Sequence, residues 1–201
     1  MNIIVSGINT GVGKTLASAI LVKMLSADYW KPIQAGSLDN RDSDQVYHLT
    51  QCVCHPEAYL LRHPLSPHKA SKVDGVSLDE HDLKFPETNN PLIIEMSGGF
   101  LSPFHHRSQG DIFSETDSRW VLVCRDYLGS INHTLLTIEA MQNRNLSLLG
   151  IILNEYDCED SLWLKQKLDL PVIGTINREK DISPSVINHY ANAWSLCEMM
   201  F

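Results

Sequence analysis

Gly7-Ile8-Asn9-Thr10-Gly11-Val12-Gly13-Lys14-Thr15 is the stretch that decides the fold. Before it, residues 2–6 form a short apolar run, the pattern of a buried strand. After it, Leu16, Ile20, Leu21 and Leu25 recur at helical spacing. Strand, glycine loop and helix in that order open a doubly wound sheet. In such a setting the N–H groups and dipole of the helix start hold phosphate oxygens. Lys14 is placed to reach the β/γ phosphates, and the Thr15 hydroxyl to help hold Mg2+. The strict pattern G-x-x-x-x-G-K-[ST] is missed by one place, because Ile8 stands at the first glycine position and Gly7 precedes it. The loop predicts nucleotide binding but names no reaction, since many NTPases, kinases and switches share it.

Outward from the loop, apolar runs follow at 29–34, 91–95, 120–124, 148–153 and 172–176, with helical patterns at 131–144 and 158–168. A last helix is expected from Pro184 to about Met200. The fold class is therefore α/β: a doubly wound, mostly parallel sheet flanked by helices, of P-loop NTPase type. Residues 50–90 carry Pro56, Pro64, Pro67 and Pro86 and are expected to form a loop-rich excursion beside the sheet. With no repeat, low-complexity tract or linker, the 201 residues read as one domain.

Bulk properties exclude several classes. A formal net charge of −8 argues against a nucleic-acid surface, which needs clustered Lys and Arg. The apolar runs are too short to span a bilayer, and the N-terminus lacks the pattern of a signal peptide. Five cysteines scattered along the chain suit reduced thiols and a cytoplasmic protein. Cys52-Val-Cys54-His55 is a single cluster without a partner pair, so idle thiols are expected in place of zinc.

Three segments narrow the chemistry. Lys31 stands at a strand's carboxyl end before Pro32, where doubly wound sheets bind ligands. In Arg41-Asp42-Ser43-Asp44, Asp44 is the candidate to complete a magnesium shell. Glu95 ends the apolar strand Leu92-Ile93-Ile94 and is followed by Met96-Ser97-Gly98-Gly99. It is expected to face the metal from the side opposite Thr15, with glycines allowing close backbone approach.

Together these segments resemble the dethiobiotin synthetase family. The resemblance covers Thr10-Gly11-Val12-Gly13-Lys14-Thr15, Lys31-Pro32-Ile33-Gln34, Ser43-Asp44, Leu65-Ser66-Pro67-His68 and the Glu95 strand. It continues through Leu128-Gly129-Ser130-Ile131-Asn132-His133 and Asn154, which matches the family's adenine-reading asparagine. The resemblance implies an ATP- and Mg2+-dependent cyclo-ligase of biotin biosynthesis that acts on 7,8-diaminononanoate and CO2. One amine forms a carbamate, the γ-phosphate of ATP activates it, and the second amine closes the ring. Lys31 and Lys14 would then be catalytic, with Thr15, Asp44 and Glu95 holding the metal. Gly11, Val12, Gly13, Lys14, Thr15, Leu16, Gly98 and Asn154 would line the nucleotide. Thr10, Lys31 and Ala35 would touch substrate. Gly129, Ser130, Ile131 and Asn132 would bind its carboxylate at a helix start contributed by the partner subunit of a homodimer.

Departures from the family pattern are Ala35 in place of Thr or Ser, Met96-Ser97 in place of Gly-Ala, charged Arg125-Asp126, and Asn177 in place of proline. Met96 is the largest concern, because bulk there could crowd a ligand. His105-His106 are expected to lie in a polar loop, and His68 and His133 to serve local hydrogen bonding and packing. Two alternatives are a partitioning-type ATPase switch and a nucleotide-binding regulator without catalysis. Against the switch, residues 7–12 carry no second lysine and the last eight residues no Lys or Arg.

Overall fold

The computed structural model describes residues 1–194. Its main sheet has seven strands in the order β4-β2-β6-β1-β7-β8-β9, every neighbouring pair parallel. These are β1 (Asn2–Gly7), β2 (Asp28–Trp30), β4 (Cys54–His55), β6 (Leu92–Glu95), β7 (Arg119–Arg125), β8 (Ser147–Asn154) and β9 (Val172–Ile176). A second sheet pairs β3 (Ile33–Ala35) with β5 (Tyr59–Leu61). The helices are α1 (Lys14–Leu25), α2 (Asp42–Thr50), α3 (Pro67–Asp74), α4 (Gln109–Phe113), α5 (Ser130–Gln142), α6 (Cys158–Lys167) and α7 (Pro184–Ala193). α1 packs against α2, α7 and β6, whereas α5 lies on β7.

The central strands read as near-continuous apolar runs because both their faces are covered. Ile3, Ile4, Val5, Ile93, Ile94 and Val121 are fully buried, and Trp120 anchors the layer with an edge-on contact to Phe100. β1 sits between β6 and β7, so the chain leaves it toward both sides and a crevice opens above its carboxyl end.

Three expectations change. The apolar run 29–34 is not one strand: β2 ends at Trp30, and β3 starts at Ile33 in the other sheet. Pro32 has no N–H for a ladder, and its carbonyl instead accepts from Ala58 and Tyr59 at 2.9 and 3.0 Å. Residues 50–90 are more than an excursion of loops, since they supply the edge strand β4, β5 and α3. The helix expected to reach about Met200 ends at Ala193 among the described residues, and 195–200 lie outside them.

Candidate active site

Strand register brings Lys31 and Glu95 together. Trp30, the last residue of β2, lies opposite Ile94, so the residues that follow, Lys31 and Glu95, also face each other. Lys31 donates to Glu95 Oε1 at 2.7 Å and to Asp42 Oδ2 at 2.6 Å. Thr15, at the second position of α1, donates to the same Glu95 Oε1 at 3.1 Å, and the Tyr29 hydroxyl donates to Oε2 at 2.8 Å. Lys31 and Glu95 are only 4% and 1% exposed, so their charges are stable there only because each meets an opposite one.

Lys14 completes the balance: two lysines face two carboxylates across the crevice. Burial, then the Lys31 charge, draw the Lys14 ammonium down to about 8 despite the opposing pull of Glu95 and Asp42. Lys31 moves the other way. Burial acts to lower it, but Glu95 and Asp42 outweigh that and raise it.

The loop itself is held from outside. Asn154, at the end of β8, donates its amide to the Val12 carbonyl at 3.0 Å, and Arg125, at the end of β7, donates to the Gly11 carbonyl at 3.1 Å. Arg125 also pairs with Glu155 at 2.8 Å. Lys14 Nζ reaches back to the Asn9 carbonyl at 3.1 Å. Gly13 has φ +93°, and a Cβ there would collide with the Asn154 amide, so glycine is needed twice over. Above this loop opens a cavity of about 930 Å3 whose walls include Thr10, Lys14, Lys31, Asp42, Glu95 and Gly98.

Comparison with known proteins fixes the family. An AAA-domain family model matches residues 1–186. The ATP-dependent dethiobiotin synthetase of Chlamydia pneumoniae is 54% identical over 193 residues, covering 96% of this chain and 88% of its own. That of Christiangramia forsetii is 41% identical over 203 residues, covering 97% of each. The chain belongs to the ATP-dependent dethiobiotin synthetase family. A putative plasmid partition protein from Borrelia burgdorferi, solved bound to AMPPNP, superposes with a TM-score of 0.65 at 12% identity, over 98% of this chain and 96% of that one. That likeness is one of fold. The sequence relatives place the chain among the synthetases.

Within this synthetase fold, Thr10, Gly11, Gly13, Lys14, Thr15, Lys31, Ala35, Glu95 and Gly98 all line the cavity. Val12 is buried in the core and Leu16 packs against it half-buried, and neither is in the cavity wall. Asp44 is the correction. It sits at the third position of α2, its side chain 45% exposed, and pairs with Arg41 at 2.7 Å. The carboxylate that enters the crevice is Asp42. Two residues along a helix are about 200° apart, so one of the pair must turn out when the other turns in. Arg41 holds the Asp44 carboxyl below its ordinary range and keeps it outside.

Gly129, Ser130, Ile131 and Asn132 open α5, but this chain's own cavity is lined instead by Leu136, Thr137 and Ala140 of later turns. Ser130 is buried, and its N–H already donates to the Tyr127 carbonyl at 2.8 Å. Met96 is fully buried in the core, so it crowds no ligand, and Ser97 takes the cavity-facing position. Ser97 is fixed by Gln109, whose amide oxygen accepts from its N–H at 3.2 Å and whose amide nitrogen donates to its carbonyl at 2.8 Å. Asn177 is exposed, its N–H donating to the Tyr190 hydroxyl at 3.0 Å. His55 is engaged by Asp28 at 3.1 Å, away from any joint ligation with Cys52 and Cys54. Asp42 in the cavity wall, and Tyr29 and Gln109 that hold Glu95 and Ser97 behind it, were not disclosed by the sequence.

Proposed function

We propose that this chain makes dethiobiotin from 7,8-diaminononanoate, CO2 and ATP, in the biotin pathway. The observation that carries this reading is Lys31, buried between Glu95 and Asp42 at the mouth of the phosphate loop. A lysine so placed is a preorganised cation for an anion that forms during the reaction. One substrate amine takes up CO2, and the Lys31 ammonium holds the resulting carbamate toward the γ-phosphate. The carbamate oxygen attacks phosphorus while Lys14 and the N–H groups of the loop take up phosphate charge. The second amine then attacks the carbamic-phosphoric anhydride, closes the ureido ring and expels phosphate. Holding both amines on one chain beside the anhydride favours closure over hydrolysis. We assign the Asn154 amide oxygen to the exocyclic amine of the base, since its nitrogen is bonded to the loop.

Magnesium suits the donor set of Thr15, Asp42 and Glu95, which is hard oxygen throughout, and the space between the two carboxylates already favours a cation, the Lys31 ammonium. When bound, the ion would neutralise phosphate charge. Asp42 replaces Asp44 in that set. We also propose a homodimer in which the start of α5 meets the other subunit's crevice, supported by Leu128, fully exposed beside Gly129. Light scattering at twice the chain mass is the expected result, and a monomer at working concentration would remove this part.

The deciding experiment follows phosphate release and dethiobiotin mass from ATP, Mg2+ and bicarbonate, with and without the diamino acid. Phosphate should match dethiobiotin formed and require the diamino acid. Lys31→Ala should lower both by about 10²–10³-fold while still binding nucleotide. Nucleotide binding with no product would sink the ligase and leave a regulator.

A further inference from the structure

We propose that the Tyr29 hydroxyl is a positioning group for this reaction, fixing the Glu95 carboxylate so that one of its oxygens stays turned to Lys31 and Thr15. The inference rests on the function proposed above for what the cluster does. Its structural basis is the pairing of β2 with β6. Tyr29 lies opposite Ile93, and Glu95 is two residues further along β6 on the same face. A diagonal neighbour of that kind is within reach of a long aromatic side chain, whereas Lys31 stands straight across. Tyr29 on β2 and Lys31 just past its end therefore approach Glu95 from the same side but meet different oxygens.

The carboxylate is shared out fully by these contacts. Oε2 accepts from Tyr29 at 2.8 Å, and Oε1 accepts from Lys31 at 2.7 Å and Thr15 at 3.1 Å. Tyr29 is fully buried. Phenylalanine would fill the same space between the strands, so packing alone does not call for the hydroxyl. Without that donor Oε2 is a bare buried anion, which carries a desolvation cost. The nearest remedy is rotation toward Lys31, giving the ammonium both oxygens. Rotation withdraws Oε1 from Thr15 and spoils the oxygen set between α1 and β6.

The test compares wild type with Tyr29→Phe and Ile93→Val. Ile93→Val loosens the same sheet layer without touching Glu95. Mn2+ binding to protein saturated with AMPPNP is read by electron paramagnetic resonance, alongside kcat, KM for the diamino acid, and Tm. Tyr29→Phe should raise the half-saturating Mn2+ and lower kcat, each by about tenfold, the range for losing a hydrogen bond to a charged group. KM for the diamino acid should stay within about twofold, and Ile93→Val should keep wild-type Mn2+ binding. Folded Tyr29→Phe with unchanged Mn2+ binding overturns the proposal. So does equal weakening in both variants, which would make the effect structural. Wild type that binds Mn2+ and AMPPNP but forms no dethiobiotin sinks the ligase reading instead, and the metal-binding arm still decides Tyr29.

Discussion

Two acidic groups sit at the carboxyl end of the main sheet, and they have opposite surroundings. In the crevice, Glu95 and Asp42 close on Lys31, with Tyr29 and Thr15 as further donors. Beyond β7 and β8, Asp126, Asp157 and Asp160 bring carboxylate oxygens within 4.8 Å of one another, half-buried to exposed. There Asp157 is occupied as the cap of α6, accepting from the Asp160 N–H at 2.8 Å. Proximity of carboxylates is common to both. What separates them is that the crevice pair is desolvated and matched by cations, which is the condition for a charge to act strongly. Acidity alone does not make a site.

The sharpest way to break this comparison is inside α2, where Asp42 and Asp44 differ only in helix phase. Asp42→Asn should lower kcat/KM at fixed Mg2+ by about 10²-fold, as removal of a preorganised charge does. Asp44→Asn should change it by less than about twofold, with a stability loss of about 1 kcal/mol or less, because an exposed pair and part of a capping box are all it loses. Equal effects on kcat/KM would place the phase of α2 in error.

The thiol pair at the sheet edge asks whether neighbours outweigh burial for a weaker group. Cys52 and Cys54 sulfurs are 3.7 Å apart, and the Cys54 thiol, against the effect of burial, draws Cys52 down to about 7. Cys54 itself is pushed upward, first by Cys52 and then by burial. Thiolate, the reactive form, is present above the pKa, so Cys52 alkylation by iodoacetamide should rise through pH about 7. In Cys54→Ala the midpoint should move up toward the ordinary thiol range. An unmoved midpoint would assign the shift to something other than Cys54.

The smallest expected effect is at the outer trio. Asp157→Ala should cost about 1 kcal/mol as a lost helix cap and leave the Mg2+ dependence of turnover unchanged. A shifted Mg2+ dependence would erase the distinction between the two acidic groups.

Most of the sheet was legible because its strands are long apolar runs separated by periodic helices; 172–176 and Lys14–Leu25 match β9 and α1 residue for residue. The phosphate loop, Lys31 and Glu95 were legible for a related reason: strand ends next to glycine or proline mark the crevice. Asp42 was not, because α2 offers only Val46 and Leu49 as an apolar stripe among polar residues, too little to set a helix's phase. Tyr29 was hidden in an apolar run whose partner strand lies more than 60 positions away. β4 and β5, two and three residues long, are too short for any alternation to register.

The two side-chain clamps on the phosphate loop have one more consequence. With Arg125 on the Gly11 carbonyl and Asn154 on the Val12 carbonyl, the loop is cast by the ends of β7 and β8 before any nucleotide arrives. The entropy of ordering it is settled when the chain folds, so little of it is charged against binding. Because β8 carries Asn154, any shift of that strand is felt at the loop as a change of shape. The sheet and its ligand are in this sense one mechanical unit, with Arg125 and Asn154 as the coupling pins.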